Sequence, residues 1–152
     1  MFKDTAAYQL AKNISRIEPN RLFRLILNKK QVKDLIIDLN TNVQLRQQHV
    51  DSLGDQLFNQ WTDRTFYGAG DELGRAGQPY EVYNSGDYFN TFVIEVEEGY
   101  IMIKSDPMKG SDSLFDMYTE NIEGLNESSL IKLRELAKEL YVDFIRKTYL
   151  FK

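Results

Sequence analysis

His49 is the sole histidine of the chain, and Asp51 and Asp55 follow it within six residues. Imidazole and carboxylate are metal-ligand types, but this spacing around a helix end matches no established ligand pattern, and no cysteine adds a softer donor. The simpler reading is a helix-terminal histidine favouring the negative end of the helix dipole. Any Ser–His–acid triad would need the same residue, and no nucleophile-elbow motif is there to recruit it. Carboxylates crowd the middle of the chain at Asp71-Glu72, Glu97-Glu98, Asp112 and Asp116. Acid–base hydrolysis needs two carboxyls at a fixed separation with pKa values pushed apart, and density along a sequence does not supply that. Gly68-Ala69-Gly70 lacks the third glycine of a dinucleotide fingerprint and follows no strand, and no Gly-Lys-Ser/Thr phosphate loop occurs. No catalytic residue, cofactor or metal is expected.

The elements that would position these residues follow from periodicity. Residues 4–17 read as a helix with Asp4 as N-cap and Leu10, Ile14 and Ile17 on one face. After Pro19, the cluster Leu22, Phe23, Leu25, Ile26 and Leu27 starts another. A long helix is expected over 29–48, with Val32, Leu35, Ile36, Leu39, Val43 and Gln47 on one stripe. From 51 to 79 the period dissolves. Five glycines fall among Phe58, Trp61, Phe66 and Tyr67, with Tyr80 just beyond. A purely solvated linker is poor in aromatics, so 52–80 reads as a flexible arm whose Phe58, Trp61, Phe66, Tyr67 and Tyr80 become fixed against a neighbouring subunit.

Order returns with a short extended stretch at Tyr80-Glu81-Val82-Tyr83 and a turn at Asn84-Ser85-Gly86-Asp87. Residues 91–97 and 100–105 alternate as an antiparallel hairpin. A short helix near 114–118 and a final helix over 127–149 capped by Asn126 complete the pattern, with Leu130, Leu133, Ala137, Leu140, Tyr141, Phe144 and Thr148 inward. The expected fold is α+β: one domain over 1–152, an antiparallel sheet of three or four strands packed by two long helices, and the Gly- and aromatic-rich arm.

At 152 residues with 42% apolar and 28% charged content, the chain can bury a core without staples, and it has no cysteine to make one. No apolar run approaches the ~18 residues of a membrane span, and no secretory leader is expected from the N-terminal pattern. Charge is unevenly placed. Residues 16–48 carry seven bases against three acids, whereas 51–126 carry fifteen acids against four bases. The acidic middle argues against a grip on nucleic acid there, and the asymmetry suits head-to-tail contact between subunits.

The stretch Val82-Tyr83-Asn84-Ser85-Gly86-Asp87-Tyr88-Phe89-Asn90-Thr91-Phe92 resembles a segment of the small head–tail joining proteins of tailed bacteriophages, the neck, tail-completion or virion-morphogenesis group. Leu35-Ile36-Ile37-Asp38-Leu39-Asn40-Thr41-Asn42 with Leu45, followed by Val50-Asp51-Ser52-Leu53-Gly54, is similar to the N-terminal helix and Asp-Ser-x-Gly turn of relatives from Bacteroidetes-type phages. The resemblance covers roughly residues 30–148. It departs where relatives carry a basic, Pro/Thr-containing loop and this chain has Asp63-Arg64 to Gly77.

The resemblance implies a virion protein made in the bacterial host cytoplasm, a neck ring that joins portal and capsid to tail. Its partners would be its own copies and other virion proteins (portal, connector or tail), with DNA passing through the channel without sequence-specific binding and with no membrane role. Ser85, Gly86 and Asp87 would then shape a turn rather than do chemistry, Gly86 supplying a positive φ. The alternatives are a cytoplasmic binding or adaptor module, or a small acidic-site hydrolase.

Overall fold

The structure, a computed structural model, describes residues 5–57, 82, 86–109 and 111–150. Helix α1 (Ala6–Ile14) is capped by Thr5, whose side chain accepts from Tyr8 N at 3.2 Å. Asp4, the cap expected from the pattern, lies outside the described residues. Pro19 sits in the first turn of α2 (Pro19–Leu27), where its missing N–H costs nothing. One face of α2 buries Leu22, Ile26 and Leu27, and the other leaves Phe23 and Leu25 exposed.

The helix expected over 29–48 is two structures end to end. Helix α3 (Lys30–Asp38) is α-helical, and Leu39–Gln48 continues it in the wider π form, whose bonds run i→i+5. The Thr41 hydroxyl donates to Ile37 O at 2.7 Å, a back-bond that occupies a carbonyl at the junction. Wider winding moves the buried stripe. It runs through Val32 and Ile36 into Leu39, Asn40, Thr41, Gln44 and Leu45, while Val43 is only half-buried and Gln47 is exposed. The π segment stops at His49, the only non-glycine residue with positive φ (54°) among those described.

The expected sheet of three or four strands is also corrected. Strands β1 (Val93–Val96) and β2 (Ile101–Lys104) pair antiparallel, with Val93 opposite Lys104 and Val96 opposite Ile101. Strands β3 (Met108–Lys109) and β4 (Asp112–Ser113) make a separate two-residue ladder. The reason lies just after β2. Ser105 N donates to the Glu123 carboxylate at 2.6 Å, Asp106 N donates to Thr91 Oγ1 at 2.9 Å, and Pro107 has no N–H. With those donors spent on side chains, the chain leaves the ladder.

Helix α4 (Leu114–Met117) and a 3-10 turn at Glu120–Ile122 lead to α5 (Glu127–Ile145), where the Asn126 side chain accepts from Ser129 N as expected. Regular α-helix ends at Ile145 and gives way to a π turn, Arg146–Leu150. Two long α-helices are therefore not what packs the hairpin. Along α5 Leu133 is buried, Leu130, Ala137, Leu140 and Phe144 are half-buried, and Tyr141 is exposed; Thr148, in the π turn, is half-buried. The chain is a mixture of helices with a two-stranded antiparallel sheet.

Two apolar clusters lie along the 30–48 segment. Leu27, Val32, Ile36, Leu39, Ile94 and Leu133 form the first, and Leu45, Leu57, Val82, Phe92, Leu114 and Ile122 the second. Residues 52–57, the start of the expected arm, form a closed turn: Asp51 N donates to Asp55 O, Leu57 N to His49 O, and Leu57 is buried. This turn meets the chain before α5 at Gly124, whose φ is +131° and where an added Cβ would stand 2.8 Å from Ser52 Cβ. Gly124→Ala should therefore destabilise the fold by about 2–3 kcal/mol in urea unfolding. Adding Ser52→Gly should recover only the steric part of the loss, leaving the backbone strain. A Gly124→Ala midpoint equal to wild type would mean the two segments do not meet.

Candidate functional site

Residues 122–126 leave the 3-10 turn through a bend at Gly124 and pair with no strand among the described residues, so their backbone polar groups need other partners. The π segment supplies them. Asn40 Nδ2 donates to Ile122 O at 3.0 Å, and Gly124 N donates to Asn40 Oδ1 at 3.1 Å. One turn on, Gln44 Nε2 donates to Gly124 O at 2.9 Å, and Asn126 N donates to Gln44 Oε1 at 2.8 Å. Each carboxamide thus presents one donor and one acceptor to alternate residues, as a strand edge would. Asn40 and Gln44 are both fully buried.

The same segment anchors a second network. The Ser105 hydroxyl lies 2.9 Å from the Tyr88 hydroxyl and also bonds Glu123 Oε1. With a single proton, Ser105 donates it to the carboxylate and accepts the phenol's. Burial pushes the Tyr88 phenol well above its ordinary value, and the Glu123 charge adds to the rise. Tyr88 opens the 3-10 turn Tyr88–Thr91, which Gly86 and the cap residue Asp87 precede. Gly86 is buried with φ +85°, as the turn pattern requires, and its carbonyl accepts from Asn90 N at 3.2 Å. Thr91 Oγ1 donates to Tyr88 O at 2.7 Å and accepts from Asp106 N, tying the turn to the hairpin exit. The Ser105 hydroxyl and the Glu123 carboxylate are bonded to each other, and the carboxylate also takes Ser105 N, so the pair fixes the hairpin exit.

Of the residues singled out from the sequence, Gly86 and Asp87 flank this network, whereas Ser85, Phe58, Trp61, Phe66, Tyr67 and Tyr80 lie outside the described residues. His49 does end a helical segment. Asp51 is buried and its Oδ1 accepts from Leu53 N at 2.9 Å and Asp55 N at 3.0 Å, so that carboxylate closes its own turn. Among the described residues no three His, Cys, Asp or Glu side chains gather as a metal site. Sequence reasoning missed Asn40, Gln44, Ser105 and Glu123. The sequence carried no distinct signal for the first two, since Gln31, Asn42, Gln47 and Gln48 stand in the same segment.

The outer surface carries two open grooves around α2. One, of about 960 Å³, runs from α2 to the hairpin tip and is lined by Arg21, Arg24, Leu25, Lys29, Glu18 and Glu98. The other, of about 300 Å³, is apolar, with Pro19, Phe23, Ile26, Leu27, Ala137 and Tyr141 around it. Among the described residues no helix is long and apolar enough to cross a membrane. The chain matches no protein-family model, no curated protein and no solved structure.

Gln44→Glu tests the carboxamide clamp. An ionised carboxylate can accept from Asn126 N but repels Gly124 O, whereas the protonated acid serves both. The fold therefore raises the pKa of the introduced carboxyl above its unfolded value. The variant should be near wild-type stability below the unfolded carboxylate value of ~4.3 and lose stability as pH rises through the folded pKa. A loss independent of pH would count against the clamp. For Tyr88, the neutral phenol's contribution is complete below the unfolded value of ~10 and is lost as pH climbs toward the raised folded pKa. Tyr88→Phe should cost about 1 kcal/mol at neutral pH, remove a tyrosine absorbance change that comes above the ordinary range, and weaken the alkaline loss of stability.

Proposed function

We propose that this chain is a structural subunit of a phage virion, a neck or head–tail connector protein that assembles as a ring between portal and tail. The observation that carries the proposal is the uncovered apolar surface around α1, α2 and α5. Helix α1 is amphipathic yet buries no residue, and it touches the chain mainly at the C-terminal π turn. Phe23 and Tyr141 frame the apolar groove at 37% and 43% exposure, and Leu25, Ile14, Tyr8 and Val142 are exposed as well. A helix of nine residues is marginal in water unless its apolar stripe is covered. Apolar surface of this kind marks contact with another protein.

The interior adds support of another sort. The buried Asn40, Thr41, Gln44 and Asp51 side chains are all bonded to backbone groups, as suits a shaped building block. The resemblance of 82–92 and 35–54 to head–tail joining proteins names the assembly, with portal, connector or tail proteins as partners and DNA passing without specific contacts. The same apolar surface would serve an adaptor module with one partner, and oligomeric state separates the two.

Sedimentation and negative-stain microscopy of the purified chain should show closed rings with a central channel. Phe23→Ser with Tyr141→Ser should weaken assembly by on the order of tenfold while leaving the melting temperature nearly unchanged, since both side chains are already partly solvated. A chain that stays monomeric at every concentration and binds one soluble partner would establish the adaptor reading instead.

A further inference from the structure

The larger groove at α2 has a chemical opposite on the same chain. Arg21, Arg24 and Lys29 line it, and none of the three pairs with a carboxylate of the described chain. Residues 12–33 hold seven bases against the single acid Glu18. At the other end of the 30–48 segment, residues 105–123 hold five acids against Lys109 alone. Asp106, Asp116 and Glu120 there are exposed. Among the described residues no ion pair joins the two charged surfaces within one subunit.

We infer that the base-lined groove of one copy receives the acidic end of the next, Asp106 to Glu120, joining subunits head to tail. The inference rests on the assembly reading and names the joint within it. Different surfaces meeting in this way make a heterologous contact, which closes into a ring when the rotation permits. Each surface also carries an apolar centre inside its charged border. Leu25 lines the groove at 50% exposure, and Met108 stands out from the acidic end at 56%. Apolar centre and polar rim are the ordinary anatomy of a protein interface.

A nucleic acid fits the groove less well. Glu18 and Glu98 are part of its wall, and Asn20 Nδ2 holds Glu98 Oε1 at 3.4 Å. Duplex DNA spaces its charges about 1.7 Å apart along the axis and would drive phosphates past both carboxylates. A folded acidic surface places a few discrete carboxylates and can set them against Arg21 and Arg24 alone.

The test uses the full chain in two charge-reversed forms, Arg21→Glu with Arg24→Glu and Asp116→Lys with Glu120→Lys. All four positions are exposed, so thermal melting should report intact folds. Sedimentation should show wild-type assemblies at low salt that dissociate near 1 M, where the Debye length falls to ~3 Å. Each variant alone should assemble at least tenfold more weakly, because its groove and acidic end now share a sign. Mixed in equal amounts, the two should assemble again, since each then finds an opposite surface on the other. Rings that form equally well from either variant alone overturn the joint and leave the ring reading standing. A groove reversal that abolishes retention of a DNA duplex without changing assembly overturns it in favour of a nucleic-acid surface. A wild-type chain that never assembles overturns both.

Discussion

The irregular stretch 122–126 carries backbone groups that no strand among the described residues pairs with, and the rest of the fold is arranged around satisfying them. Asn40 and Gln44 do so with four hydrogen bonds of 2.8–3.1 Å. Each bond contributes only about 0.5–1.5 kcal/mol net, but each group left unpaired in the interior would cost about 1–3 kcal/mol. The asymmetry makes the clamp a requirement more than a bonus. A π segment meets that requirement: its wider winding turns Asn40 and Gln44 inward at positions where an α-helical stripe would have brought Val43 and Gln47.

Several other features follow from the same stretch. Gly124 must be glycine both for its φ of +131° and because Ser52 approaches its α-carbon side. Asn126 takes the last bond of the clamp through its N–H and caps α5 with its side chain, so the start of the final helix is set by the π segment. Glu123, between the clamped residues, reaches the other way to Ser105 and through it to Tyr88. The second apolar cluster, with Ile122 fully buried in it, is thereby fixed relative to the first. Ser52 N also donates to Asn121 O, which brings the 49–57 turn into the same framework.

How much of this the sequence disclosed depends on the range of the interaction. The hairpin, the Asn126 cap, the short 114–117 helix and the positive φ at Gly86 are local and were readable from alternation, capping residues and turn composition. The π winding was not. Its residues fit an α-helical stripe well enough on propensity alone, and the preference for π lies in contacts some 80 positions away, from Asn40 and Gln44 to 122–126. The overestimate of the sheet has a similar origin. The strand read over 100–105 stops at Lys104 because Ser105 N is taken by Glu123, a partner that no local pattern reveals, and the extended stretch read at 80–83 lies outside the described residues except for Val82. The aromatic candidates from Phe58 to Tyr80 fall outside the described residues, and Val82 alone of that neighbourhood is seen packing, into the second cluster.

Placing the polar machinery inside has a consequence for the outside. Buried carboxamides bonded to the backbone of 122–126 give rigidity and register, and the exposed apolar and charged groups lie on surfaces held by that framework. Those surfaces sit at the ends of the segment that the clamp makes stiff: α2 and its grooves near Lys29, the acidic turns beyond Gln44. A subunit whose two ends differ in charge and are held at a fixed separation can transmit one geometry from copy to copy. A chain with its contacts on loose elements could not, because each joint would add its own angular freedom and closure would fail. The carboxamide pair is therefore the feature that would let a small α+β domain act as a segment of a larger body.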